Sequence, residues 1–178
     1  MSGFRDVYWI RILMESVLPI AEPRITWYRL PMHLRNWQQE VIDSFPSIID
    51  QYRRFILKAP TGAGKTVLAS QIVERFYKGK KIVVLCHRLV LLEQLEAALR
   101  QKHAVHKLAV SDTGLAFDGY DILLSTNMRA KDVLADAIAK ADLIIVDEAH
   151  RVSPNGKGYK RIIDNFNENG KPEAQFIG

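Results

Sequence analysis

Ala59-Pro60-Thr61-Gly62-Ala63-Gly64-Lys65-Thr66 lies between an apolar run at 55–58 and an amphipathic stretch at 65–77. That arrangement reads as a strand, a glycine-rich turn and a helix. Glycines 62 and 64 let successive backbone N–H groups turn inward around phosphate oxygens, and the helix that follows adds the positive end of its dipole. In such a loop Thr61, Gly62, Ala63 and Gly64 form the cradle. Lys65 brings charge to the β and γ phosphates, and the Thr66 hydroxyl goes to Mg²⁺. Ala59 occupies the place where the general phosphate-loop pattern has its first glycine.

A second stretch completes the first. Leu143-Ile144-Ile145-Val146-Asp147-Glu148-Ala149-His150 is an apolar run that ends in two acids. A buried parallel strand of this kind delivers carboxylates to the C-terminal edge of a sheet. There Asp147 can hold Mg²⁺ and Glu148 can orient or deprotonate an attacking water, so Lys65, Asp147 and Glu148 are the expected catalytic groups and ATP with Mg²⁺ the expected ligands. Asp147 and Glu148 are adjacent on a strand and point to opposite sides, and His103, His106 and His150 lack any spacing that would unite them as ligands. The site therefore suits magnesium and not a transition metal.

Around these motifs the pattern alternates. Strands are expected at 81–86, 106–110, 120–125, 142–147 and 174–177, and helices at 89–101, 128–140 and 159–167, with turns at 112–114 and 117–119. Strand-helix-strand order predicts an α/β domain, a mostly parallel sheet with helices on both faces. The first 30 residues follow another logic. Trp9, Ile10, Ile12, Leu13 and Val17 give mixed periodicity, Pro19 and Pro23 interrupt it, and 25–30 resembles a short strand. A small cap on the core, a partner-binding arm and residues upstream of the domain all fit. The cap is preferred, because so many large apolar side chains are costly to leave in water. The expected division is an extension at 1–30 and one domain at 31–178.

With 178 residues and 48% of them hydrophobic, the chain suits a single domain with a substantial core. Its one cysteine, Cys86, excludes a disulfide framework or a cysteine zinc cluster within the chain and points to a buried strand thiol in a reducing compartment. No apolar stretch approaches the roughly 20 residues of a membrane span, and Arg5, Asp6, Arg11 and Glu15 replace a signal peptide's apolar core. A cytoplasmic protein without membrane contact is expected. A net charge of +5 favours a polyanionic partner.

Ala-Pro-Thr-Gly-Ala-Gly-Lys-Thr and Asp-Glu-Ala-His resemble the two nucleotide motifs of superfamily 2 helicases and translocases. The chain is similar to their first RecA-like domain, a P-loop NTPase fold. In that family alanine commonly stands where Ala59 does. Leu34-Arg35-Asn36-Trp37-Gln38-Gln39-Glu40 is similar to the opening motif of the branch that includes type III restriction subunits and related DEAD/DEAH-like proteins. There the glutamine reads adenine, and a Gln amide can both donate to N7 or N6-type edges and accept from them in one bidentate contact. The resemblance thus assigns Gln38 to the base and Arg35 to stacking on it, with Gln39 the alternative amide. The plainer reading is the start of an amphipathic helix whose Trp37 and Val41 face the core.

The same resemblance places His87 and Arg88, after the strand at 81–86, against a nucleic-acid phosphate. It places Ser125, Thr126 and Arg129 at the next strand's edge against the backbone of the polymer. A solvated His-Arg pair and a helix N-cap at Ser125 are the plainer alternatives. His150 would couple nucleotide state to the neighbouring motifs. The resemblance runs over 31–178 and stops before the family's Ser/Thr-Ala-Thr motif and its second RecA-like domain, source of the arginine finger. Three readings follow: an ATP-binding lobe of a DNA-directed helicase or translocase that is truncated or needs a partner lobe in another chain; a nucleotide- or nucleic-acid-binding module that does not turn over; or a P-loop kinase or signalling ATPase, which has no reason to carry the Asp-Glu-Ala-His box.

Overall fold

In a computed structural model of the chain, residues 8–11, 33–86, 89–100, 103, 105–107, 117, 119–126, 135–147 and 157–178 are described. In chain order they form β1 (Tyr8–Arg11), α1 (Asn36–Gln51), β2 (Arg54–Lys58), α2 (Lys65–Phe76), β3 (Ile82–Cys86), α3 (Leu89–Leu99), β4 (Val105–Lys107), β5 (Ile122–Thr126), α4 (Ala135–Lys140), β6 (Leu143–Val146), α5 (Lys157–Asn169) and β7 (Gln175–Ile177). The expected strands and helices are present where they fall on described residues, their ends shifted by a few positions. The expected strand at 25–30, the turn at 112–114 and the helical residues 128–134 lie outside the described residues.

All strand pairs are parallel, and the sheet runs β1-β2-β7-β6-β3-β5-β4. β3 is central, and its five residues are all buried because helices cover both faces. Alternation then sorts its side chains. Ile82, Val84 and Cys86 join the core beneath α1, α2 and α3, whereas Val83 and Leu85 join the core beneath α4 and α5. Each such aliphatic side chain, fully withdrawn from water, contributes roughly 1.5–3 kcal/mol. β1 is an edge strand in register with β2, Tyr8 opposite Phe55. The mixed periodicity of the N-terminal segment did not announce it.

Two features seat the elements that build the site. Phe45 of α1 is completely buried, stacked on Phe76 of α2 at 4.7 Å between centroids and edge-on to Phe55 of β2 at 6.0 Å. Those rings fasten α1 beside the strand and helix that flank the glycine-rich loop. α1 continues past the exposed Pro46, a residue that sequence rules treat as a helix breaker.

At the opposite edge, the guanidinium of Arg53 lies 4.4 Å over the Phe166 ring and donates to the carbonyls of Lys171 (2.7 Å), Gly170 (3.2 Å) and Ala174 (3.3 Å). It thereby collects the C-terminal carbonyls of α5 and the turn into β7. Asp142 accepts the Lys81 N–H at 2.8 Å and pairs with Lys171 at 2.6 Å. Both contacts tie β7 into its place between β2 and β6.

Candidate functional site

In a parallel sheet every C-terminal strand end opens on one edge, and ligands of such sheets bind in the crevice beyond that edge. The glycine-rich loop leaves β2 there, Asp147 follows β6 there, and only β7 separates the two strands. Two strand spacings of about 4.8 Å put the loop and the acid roughly 10 Å apart along the edge. The sequence motifs, far apart in the chain, thus share one crevice.

Within the loop Gly62 has φ +75° and Gly64 φ +93°, the left-handed region that L side chains rarely adopt. Gly64 is also the N-cap of α2, and its carbonyl receives the first helical hydrogen bond, from Leu68 N–H at 3.1 Å. The Ala63 N–H donates to the Pro60 carbonyl at 3.3 Å, closing a turn, and the Ala63 side chain is buried in the core. Thr61 and Gly62 are exposed; Lys65 and Thr66 are half-buried at the first turn of α2. Across the crevice Asp147 is half-buried, its N–H held by the Leu85 carbonyl at 2.8 Å. Cys86, at the end of β3, is buried beside it. Burial, and then the negative charge of Asp147, push the thiol up to about 12. The thiol is thus neutral at physiological pH, as expected of a strand residue.

The N-terminus of α1 abuts the loop, and here the structure corrects the sequence reading. Gln38 is 3% exposed. Its Oε1 accepts the Arg35 N–H at 2.9 Å, one half of a capping box, and its Nε2 donates to the Gly64 carbonyl at 3.0 Å. Both ends of the amide are thereby engaged by main chain, so the bidentate adenine contact is not open to it in this conformation. Arg35 is exposed, and its Nη1 donates to the Ala63 carbonyl at 3.3 Å. Gln39, the alternative amide, bonds Asp43 on the surface of its own helix at 2.7 Å.

Ser125 is corrected as well. It is 1% exposed, and its hydroxyl donates to the Thr126 carbonyl at 3.2 Å, so the strand end does not present it to a polymer. Thr126 is half-buried at that edge. His87, Arg88, Arg129, Glu148 and His150 lie outside the described residues. Among the described residues no group of three or more His, Cys, Asp and Glu side chains gathers as a metal site, and no helix is long and apolar enough to cross a membrane.

This fold and this crevice define the first RecA-like domain of a superfamily 2 helicase, a helicase-like ATP-binding domain. The family model of the type III restriction enzyme res subunit matches residues 31–173, and the chain belongs to that family. A Sulfolobus islandicus filamentous virus protein (isolate Iceland/Hveragerdi), provisionally named helicase 22, is 29% identical over 167 residues, covering 85% of this chain and 30% of that one. The chain spans about three-tenths of the length of the curated relatives it matches. Two solved structures share the fold. The Sulfolobus solfataricus SWI2/SNF2 ATPase core in complex with dsDNA has a TM-score of 0.63 at 17% identity, over 86% of this chain and 33% of that one. The UvsW helicase from bacteriophage T4 has a TM-score of 0.59 at 16% identity, over 82% of this chain and 52% of that one.

Proposed function

We propose that this chain is the ATP-binding lobe of a nucleic-acid-dependent ATPase of the helicase or translocase kind, directed to DNA and needing a second RecA-like lobe for efficient turnover. The observation that carries the reading is the meeting of the phosphate loop after β2 and Asp147 after β6 at one edge of the sheet, a single strand apart.

Thr61, Gly62, Ala63 and Gly64 cradle the phosphates and Lys65 offsets their charge. The Thr66 hydroxyl and the Asp147 carboxylate would hold Mg²⁺. They are hard oxygen donors, few in number, which suits an ion that takes one or two protein oxygens and leaves its other positions to phosphate and water. Bound there, the ion neutralises charge that builds on the transferred phosphoryl group. Glu148, next to Asp147, orients the attacking water, and His150 couples nucleotide state to the neighbouring motifs. His87, Arg88, Thr126 and Arg129 follow or end strands whose C-termini open on the same edge, and they meet the phosphates of the polymer. The positive net charge supports a polyanion, and the opening motif at 34–40 inclines the choice to DNA. An arginine finger contributes roughly 10³ to 10⁵ in rate, so one lobe alone turns over slowly.

The test is Mg-ATP binding and hydrolysis by the chain, with and without single- and double-stranded DNA and RNA, beside Lys65→Ala and Glu148→Gln. Lys65→Ala is expected to lose nucleotide, and Glu148→Gln to keep it without turnover. Tight ATP binding by Lys65→Ala would refute the site. Binding without turnover under every condition, even with a partner lobe, would leave a binding module. Stimulation by RNA alone would overturn the preference for DNA.

A further inference from the structure

The amide of Gln38 is buried against the phosphate loop, not open to a base. A trans peptide is planar, with its carbonyl and the following N–H pointing in opposite directions. Fixing the carbonyl of Gly64 on the α1 side therefore aims the N–H of Lys65 to the other side, and fixing the carbonyl of Ala63 does the same for the N–H of Gly64. Those two N–H groups are among the ones a phosphate cradle uses. Gln38 Nε2 holds the first carbonyl at 3.0 Å and Arg35 Nη1 the second at 3.3 Å. Leu68 N–H shares the Gly64 carbonyl, so both of its acceptor directions are filled.

The amide is itself oriented, because its Oε1 is held by the Arg35 N–H. The fit is close: a Cβ at Gly64 would stand 2.7 Å from Gln38 Nε2. The loop and the helix thus meet on the face away from the phosphates, leaving the inward face to the N–H groups.

We infer that Gln38, supported by Arg35, is a positioning residue for the phosphate loop: the two side chains hold the Ala63 and Gly64 carbonyls outward and so turn the N–H groups of Gly64 and Lys65 toward the triphosphate. The inference rests on the loop's being a nucleotide site. It assigns Gln38 to the part that every nucleoside triphosphate shares, so its loss weakens binding without changing the choice of base.

Inorganic tripolyphosphate, which has no base, separates the two roles. Its affinity in the presence of Mg²⁺, with those of ATP and GTP, is measured by calorimetry for the full chain and for Gln38→Met, whose side chain has similar length and cannot donate. All three affinities are expected to fall by a common factor of about ten, the size of one hydrogen bond of about 1.4 kcal/mol. Unchanged tripolyphosphate binding with a collapsed ATP-to-GTP ratio would overturn the inference and return Gln38 to adenine. A lower Tm with all three affinities intact would overturn it too, as a packing role alone. Should Gln38→Met fail to fold, Arg35→Ala at the exposed position is expected to weaken tripolyphosphate about threefold at unchanged Tm, on the scale of a weaker bond; full affinity would overturn the inference. Tripolyphosphate binding by Lys65→Ala equal to that of the unaltered chain would instead refute the nucleotide site, a result distinct from either.

Discussion

Substituting alanine at the two loop glycines separates backbone strain from the contact with α1. Gly62 and Gly64 both have positive φ, at +75° and +93°. Either replacement puts a Cβ into the left-handed region at a cost of about 1–2 kcal/mol. Both gain the same stiffening of the unfolded chain, so that contribution cancels between them. Their surroundings differ. A Cβ at 62 meets nothing within 4 Å, whereas one at 64 stands 2.7 Å from Gln38 Nε2, too close for any real pair of atoms. The Gln38 amide must withdraw and its bond to the Gly64 carbonyl is lost, a further ~0.5–1.5 kcal/mol. Gly64→Ala is therefore expected to cost about 2–3 kcal/mol and Gly62→Ala about 1–2 kcal/mol by urea denaturation. For a domain of this size the difference amounts to roughly 2–4 °C in Tm per kcal/mol. In a Gln38→Ala background the extra cost at 64 should vanish, and a double-mutant cycle reads it as a coupling of about 1 kcal/mol. Equal costs at 62 and 64, or no coupling to Gln38, would refute the proposed apposition of α1 and the loop.

Three other outcomes are expected at a distance from the crevice. Arg53→Ala removes a guanidinium that serves three carbonyls and one ring, and should cost about 2–3 kcal/mol in denaturant unfolding, the range of hydrogen bonds from a charged donor; a loss under about 0.5 kcal/mol would show that β7 does not need this anchor. Burial pushes the Asp142 carboxyl up, but the hydrogen bonds from Lys171 and the Lys81 N–H and the nearby lysine charges outweigh it and leave the carboxyl below its usual range. A depressed carboxylate stabilises the fold above its unfolded pKa of about 3.9 and loses that contribution as pH falls through the folded value. The Tm gap between the unaltered chain and Asp142→Asn should therefore narrow below about pH 4, and a gap that widened with acid would contradict the pairing. Cys86, buried and pushed up to about 12, should resist maleimide at pH 8 in the folded chain and react fully once unfolded, followed by mass spectrometry; rapid labelling of the folded chain would place the thiol in solvent.

The class of fold and most of the nucleotide-binding side of the crevice were readable because both depend on local pattern. Glycines at 62 and 64 are required wherever the chain takes positive φ, and an apolar run ending in acid is what a buried strand with a functional edge must be. Residues 174–177 read as a strand on β propensity, and β7 occupies 175–177. Its place between β2 and β6 is a long-range pairing that no local pattern states. β1 escaped notice because four residues on a sheet edge carry too short a period to stand out among interrupted apolar positions.

Gln38 and Ser125 show the same boundary at single residues. Their polar identities suggested a base contact and a phosphate contact, the first a matter of matched donors and acceptors. Whether an amide or hydroxyl faces solvent, ligand or main chain depends on what packs against it. The Phe45, Phe55 and Phe76 rings draw α1 onto the loop and leave Gln38 between the Arg35 N–H and the Gly64 carbonyl, where both ends of the amide are filled. Ser125 alternates into the core. Sequence alone determined which chemical groups this chain carries and at which strand ends they stand, because dihedral demands and hydrophobic periodicity are local. Only the tertiary structure decided which of those groups are already engaged, because a buried polar group must find its partner among residues distant in the chain.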